Sequence, residues 1–244
     1  RIIQTGDLLS AMLEAEIHGR YFPDFFARPL KDLEKRLENF KDFQPYSLIA
    51  NSDWIKRYSD ALVVLLRAVR WNRLNRNVPT TVAGHSFYVT LTSYILSSME
   101  IENGGKIDPV EVIKRALLHD IPESMTGDII TPTKKKVPGF EEVISQVEEQ
   151  MVSGNLLRGM PDELVKELKS RMLDPFATTE GELVRAADQF AATVECLMEI
   201  RSGNTQPAFR DALHRMLDDL SSSTFESVRF VTESFRWGLD WAGR

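Results

Sequence analysis

Apolar residues recur at helical spacing along nearly the whole of this chain, and the alternation that marks strands is nearly absent. A chain patterned in this way buries its apolar side chains by packing helix against helix, so an all-α fold is predicted. Two N-terminal helices are expected in "GDLLSAMLEAEIHGR" and "PLKDLEKRLENFKDF", separated by the proline-containing "YFPDFFARP". A third is expected from about Asp53 to Trp71. After the breaker "NRNVPTT", a fourth runs from about Thr81 to Met99, with Thr80 or Thr81 as its N-cap. "ENGGKIDP" ends that helix, and Asp108 followed by Pro109 starts the next. The loop "GDIITPTKKKVPG" follows, then helices near 140–154, 161–172, 180–201, 206–220 and 223–240. One internal boundary falls near residue 50. It assigns 1–50 to a helical extension packed on a main domain of 51–244, although "NFKDFQPYSLIANSDW" reads equally well as a linker or as a turn.

With 244 residues, 43% of them hydrophobic, the chain can bury a sizeable core as one large domain. Its net charge of -6 argues against a nucleic acid polymer as partner, so any phosphate site must be local. The single cysteine, Cys196, excludes an internal disulfide framework and a multi-cysteine zinc site. It reads as a small buried hydrophobe and suits a reducing cytoplasm. The longest apolar run, "ALVVLLRAV", is too short for a bilayer and contains Arg67. No secretory signal is seen in a chain that begins at Arg1, and a cytoplasmic protein without membrane association is expected.

Ionisable groups occupy unusual places in this pattern. In "DPVEVIKRALLHDIPES", Val110, Ile113, Leu117, Asp120 and Ile121 share a stripe, which puts Asp120 on the core side. Val112, Ala116, His119 and Glu123 share the neighbouring one. An unpaired buried carboxylate would rather take up a proton, so Asp120 needs a cation or several donors. Pro122 cannot donate to the Leu118 carbonyl, which loosens the last turn. The dipeptide alone also fits a hydrogen-bonded core histidine beside a capping aspartate. Two more helices change the balance. His85 lies in line with Val82, Val89, Thr92 and Leu96, and Asp188 lies beside Val184, Ala187, Ala191 and Glu195. Three helices each turn a metal-competent group inward, and one divalent ion would satisfy all of them together.

"RWNRLNRNVPTTVAGHS", "LLHDIPESMTGDIITPTKK" and "VRAADQFAA" resemble successive motifs of the bacterial HD-domain 5'-deoxynucleotidases, within the HD-domain metal-dependent phosphohydrolases. The resemblance spans roughly residues 60 to 200. It implies an HD-domain helical bundle with additional N-terminal helices, and His85, His119, Asp120 and Asp188 as metal ligands. It also implies that Glu123 and Asp128 flank the reaction centre and that Arg70 with Trp71 face the phosphate and sugar of a nucleotide. Gly84 departs from the pattern, because these nucleotidases commonly carry glutamate before the first metal histidine, so a contact that orients the site is missing or replaced.

The residue chemistry agrees with that implication. Two imidazoles and two carboxylates without sulfur suit manganese, cobalt, iron, nickel, zinc or, less favourably, magnesium. No residues are evident for a second ion. Glu123, one turn beyond His119, can orient or deprotonate a water, and Asp128 can protonate the leaving oxygen or receive the water's proton. Lys134, in "KKK", either reaches the phosphate or is a solvated loop charge. Trp71 is either a wall that tests the sugar for its 2'-hydroxyl or ordinary packing. The aromatics of "YFPDFF" could cover the site, extend the core or build a homodimer interface. Two other readings stay open. One is hydrolysis of a triphosphate, a signalling nucleotide or a cyclic phosphodiester at the same centre. The other is a non-catalytic module stabilised by its metal, in which the acidic pair would be left over.

Overall fold

The computed structural model describes residues 1–50, 52–127 and 138–242. Among them the chain is helical, and its single extended pairing is an isolated antiparallel bridge between Val69 and Thr81. The helices are α1 (Ile2–Gly19), α2 (Pro23–Glu38), α3 (Gln44–Ala50), α4 (Asp53–Arg67), α5 (Val82–Glu102), α6 (Pro109–Leu118) and α7 (Glu123–Thr126). They continue with α8 (Phe140–Met151), a π-helical turn over Val152–Leu156, α9 (Asp162–Leu173), α10 (Thr179–Arg201), α11 (Pro207–Ser221) and α12 (Glu226–Ala242). No helix among the described residues is long and apolar enough to cross a membrane. The chain divides into two compact units, Arg1–Asp60 and Ala61–Arg244, with the division inside α4.

In the first unit α1 packs on α2 and buries Leu8, Ala15 and Leu37. The proline-containing segment expected to separate two helices is instead part of the second one. α2 begins with Pro23 in its first turn and continues through Pro29. Packing carries it across that proline, because Phe26 stacks on His18 with ring centroids 5.6 Å apart and Phe26 and Leu30 lie against Gly19. His18 is thus a surface packing residue.

The second unit is built around α10, which contacts α5, α6, α11 and α12. Val89 and Leu96 of α5, Val112 and Ala116 of α6, and Leu183, Val184, Ala187 and Ala191 of α10 form one core. Cys196, Phe209, Leu213 and Leu217 form a second, between α10 and α11. Asp108 caps α6 by accepting from Val110 N at 2.9 Å, with Pro109 in its first turn. Thr81 caps α5 by accepting from Gly84 N at 3.1 Å.

Two sequence expectations fail here for physical reasons. The third helix stops at Arg67, not Trp71, because the chain leaves it to pair Arg70 N with Thr80 O at 2.9 Å and Val82 N with Ala68 O at 2.8 Å. On α6 the core stripe is Val112 and Ala116, while Val110 and Leu117 are about half exposed. Asp120 is buried nonetheless, since α6 ends at Leu118 and the turn after it, not helical phase, carries Asp120 inward.

Candidate metal centre

His85 sits on the first turn of α5 and is 1% exposed. His119 and Asp120 occupy the turn after α6, where the missing N–H of Pro122 keeps the helix from continuing regularly. One ligand atom from each of His85, His119 and Asp120 lies within 4.8 Å of the other two. Asp188, midway along α10, joins them through His85, whose Nε2 is 2.8 Å from Asp188 Oδ1 and 4.0 Å from Asp120 Oδ2. Residues from three separate helical segments are thus brought to one point.

The ring nitrogens are sorted by their partners. His119 Nδ1 donates to Ala116 O at 2.8 Å, which leaves Nε2 buried, without a hydrogen-bond partner among the described residues and 3.1 Å from Asp120 Oδ1. His85 Nδ1 lies 2.9 Å from Glu195 Oε1, so a neutral His85 donates there and turns its Nε2 lone pair toward Asp188. A lone pair facing a carboxylate is repulsive unless a cation lies between them. That cation is either a proton or a metal ion.

The electrostatics favour positive charge at this point. Burial disfavours the His119 cation, but Asp120 and Asp188 outweigh it and push the imidazole up to about 9. His85 is likewise raised, against burial and Arg70, by Asp188 and Glu195. Burial would raise Asp120, yet His119, Arg70 and His85 hold it well below the usual carboxylate range. The same carboxylates that raise both imidazoles would attract a divalent ion, and two imidazole nitrogens beside two carboxylates are a donor set that fits one.

Arg70, in the turn beyond α4, is largely buried. Its side chain is 15% exposed, with Nη1 3.7 Å from Asp120 Oδ2 and Nε 3.5 Å from Glu195 Oε2. Burial opposes its charge, but Glu195, Asp120, Asp188 and Glu123 raise its pKa further. Trp71 adopts φ 57, in the left-handed region that a bulky residue rarely enters. Its ring lies 5.7 Å from that of Phe209, and its Nε1 donates to Glu195 Oε2 at 2.7 Å. Glu123 opens α7. Asp128, Lys134, Thr131 and Pro132 lie outside the described residues. His214 is exposed.

The sequence reading named Glu195 only as a neighbour of Asp188 and gave it no role. It is 6% exposed and contacts His85, Trp71 and Arg70. Burial would raise its carboxyl, but His85, Arg70 and the Trp71 N–H lower it, so it is an anion at neutral pH. The available signal was its spacing, two helical turns beyond Asp188 on an apolar face. Ser86, whose Oγ lies 3.5 Å from Asp120 Oδ2, carried no such signal.

Residues 57–237 match the family described as YfbR-like, 5'-deoxynucleotidase. A 5'-deoxynucleotidase of Citrobacter koseri is 31% identical over 182 residues, covering 70% of this chain and 87% of that protein. Among solved structures, an HD-domain phosphohydrolase from Listeria innocua superposes with a TM-score of 0.66 at 25% identity, over 73% of this chain and 86% of its own. The HD phosphohydrolase DatZ of cyanophage S-2L, solved with dA and one catalytic Zn²⁺, shares the fold with a TM-score of 0.52 at 20% identity, over 72% and 94% of the two chains.

Proposed function

The chain belongs to the YfbR-like 5'-deoxynucleotidase family, and on that premise we propose that it hydrolyses deoxynucleoside 5'-monophosphates at the centre formed by His85, His119, Asp120 and Asp188. The observation that carries this reading is the pair of imidazoles with Nε2 turned toward carboxylates, beside a buried arginine with a phosphate-binding fork. The net reaction is attack of water on phosphorus with cleavage of the bond to O5', giving a nucleoside and orthophosphate.

His85, His119, Asp120 and Asp188 would hold one divalent ion. When bound, that ion supplies Lewis-acid polarisation of a phosphate oxygen and makes a water more acidic. Arg70 binds the phosphate and is held in place by Glu195 and Asp120. Glu123 orients the water and takes its proton. Asp128 either protonates O5' of the leaving nucleoside or receives the water's proton, and Lys134 adds a positive charge toward the phosphate. Trp71 stands where the sugar is tested. The nitrogen and oxygen donor set suits manganese, cobalt, iron, nickel, zinc or magnesium, and the zinc of the cyanophage protein makes zinc the first ion to try. Cys196, buried with its thiol pushed up to about 12, suits a cytoplasmic protein that forms no disulfide.

The test is phosphate release by chelator-treated protein resupplied with each metal, across ribo- and deoxyribonucleoside mono- and triphosphates. Activity on deoxynucleoside monophosphates that depends on added metal, and is lost together with bound metal in Asp188→Asn and His119→Asn, is the expected result. Release from triphosphates alone would assign the centre to the other nucleotide chemistry.

A further inference from the structure

We propose that Glu195 is a positioning residue that couples the metal centre to the substrate-facing turn through its two carboxylate oxygens. Oε1 accepts from His85 Nδ1 at 2.9 Å, which fixes the tautomer whose Nε2 faces Asp188. Oε2 accepts from Trp71 Nε1 at 2.7 Å and lies 3.5 Å from Arg70 Nε. Each oxygen serves a different element, α5 on one side and the turn holding Arg70 and Trp71 on the other. The turn needs such a hold, since Trp71 has a backbone conformation that tryptophan rarely adopts. Gly84, immediately before His85, offers no side chain for the purpose, and a Cβ added there would come within 3.2 Å of the capping hydroxyl of Thr81. The contact to His85 therefore comes from α10, on the same helix as Asp188. This inference rests on the metal and phosphate roles proposed above for His85 and Arg70.

Only a carboxylate meets both demands. A glutamine of equal size accepts on one oxygen and donates from its nitrogen. If the oxygen faces His85, the amide N–H groups oppose those of Trp71 and Arg70. If the amide is reversed, its N–H donates to His85 Nδ1, so the ring proton moves to Nε2 and the metal-facing lone pair is lost.

The experiment uses Zn²⁺ on the chelator-treated full chain and needs no turnover. In the wild type, saturating Zn²⁺ is expected to shift the Trp71 indole N–H resonance, identified among the four tryptophans by its loss in Trp71→Phe. Glu195→Gln, folded by circular dichroism, is expected to bind Zn²⁺ about 10- to 100-fold more weakly in competition with a chromogenic chelator, the usual effect of losing a partner of a metal-binding histidine. At saturating Zn²⁺ it should raise KM for a deoxynucleoside monophosphate by a larger factor than it lowers kcat. A wild-type Zn²⁺ affinity in folded Glu195→Gln overturns the proposal, as does an indole signal that ignores bound Zn²⁺, or a KM left unchanged. The resonance is read on the wild type and decides the matter even where the glutamine variant does not fold. If the wild type hydrolyses no nucleotide, the proposed reaction fails while affinity and resonance still judge Glu195.

Discussion

Arg76 and Glu199 join across 123 positions of sequence, Nε to Oε1 at 2.8 Å, with the Glu199 side chain wholly buried and that of Arg76 5% exposed. The other donors of Arg76 bind the segment it belongs to, reaching Arg70 O at 3.1 Å and Val78 O at 2.6 Å. Glu199 accepts further from Asn77 N, Val78 N and Asn204 Nδ2. The segment between α4 and α5 is therefore fastened to α10 by a carboxylate that has donors on both oxygens. Arg70 and Trp71 owe their placement to this fastening as well as to Glu195.

Arg76→Ala should destabilise the protein by about 3 kcal/mol, because it strands a buried carboxylate that keeps only its neutral donors. The measurement is the urea midpoint at unchanged m, which reads stability apart from compactness. A midpoint equal to that of the wild type would mean that the amides of Asn77 and Val78 suffice.

Glu199 also predicts an acid dependence. Burial would raise its carboxyl, but Asn77, Arg76, Asn204 and Val78 hold it at about 2 in the folded chain. An unfolded glutamate titrates near ~4.3. Between those values the unfolded chain binds more protons, so this contribution is complete above the unfolded value and is lost as pH falls toward about 2. It amounts to about 3 kcal/mol over that window. Unfolding followed from pH 6 to pH 3 should show a shallower loss in Glu199→Gln than in the wild type, and parallel curves would remove Glu199 as the cause.

Helical periodicity made most of the fold legible, since Val89, Leu96, Val184 and Ala187 fall on the stripes that their spacing marks. It misled where a tertiary contact overrides local preference. α4 stops short of Trp71 because the chain turns out of the helix to pair Arg70 N with Thr80 O, and Arg76, bonded to Glu199, holds the Arg70 carbonyl; no local pattern announces a partner so distant. α2 runs through Pro29 because α1 offers Phe26 and Leu30 a surface. His85, His119 and Asp188 were legible as inward-pointing ionisable groups on apolar helices, whereas the stripe that marked Asp120 carries the exposed Val110 and Leu117, and the turn after α6 buries Asp120 instead. Glu195 sat on the same face, but its role depends on which atoms of the Arg70–Trp71 turn reach it, and that turn is set by backbone dihedrals that sequence spacing does not encode.

Glu123→Gln separates chemistry from metal binding. Glu123 opens α7 and adds to the negative field around Arg70. On the water-handling role proposed for Glu123, the substitution should leave bound metal unchanged while slowing turnover by about 10²–10⁴-fold, the usual worth of a positioned acid or base. Metal content and phosphate release are to be measured on one preparation. Loss of metal together with activity would make Glu123 part of the ligand set.

Arg70 and Trp71 should differ in what their removal does to selectivity. On the role proposed for Arg70, Arg70→Ala would take away a phosphate contact shared by every nucleotide, so kcat/KM for paired ribo- and deoxyribonucleoside monophosphates should fall alike. Trp71 presents an indole whose single donor, the N–H, is already committed to Glu195 and whose ring rests on Phe209; an indole has no acceptor, so it offers a 2'-hydroxyl no hydrogen bond. Exclusion by shape alone reaches on the order of 10²-fold. Trp71→Ala should therefore bring the two substrates toward equal kcat/KM. The truncation also removes packing and lowers the folded fraction, but the ratio of two substrates on one preparation cancels the amount of active enzyme. A ratio unchanged from the wild type would leave Trp71 as packing and move sugar discrimination to another wall of the site.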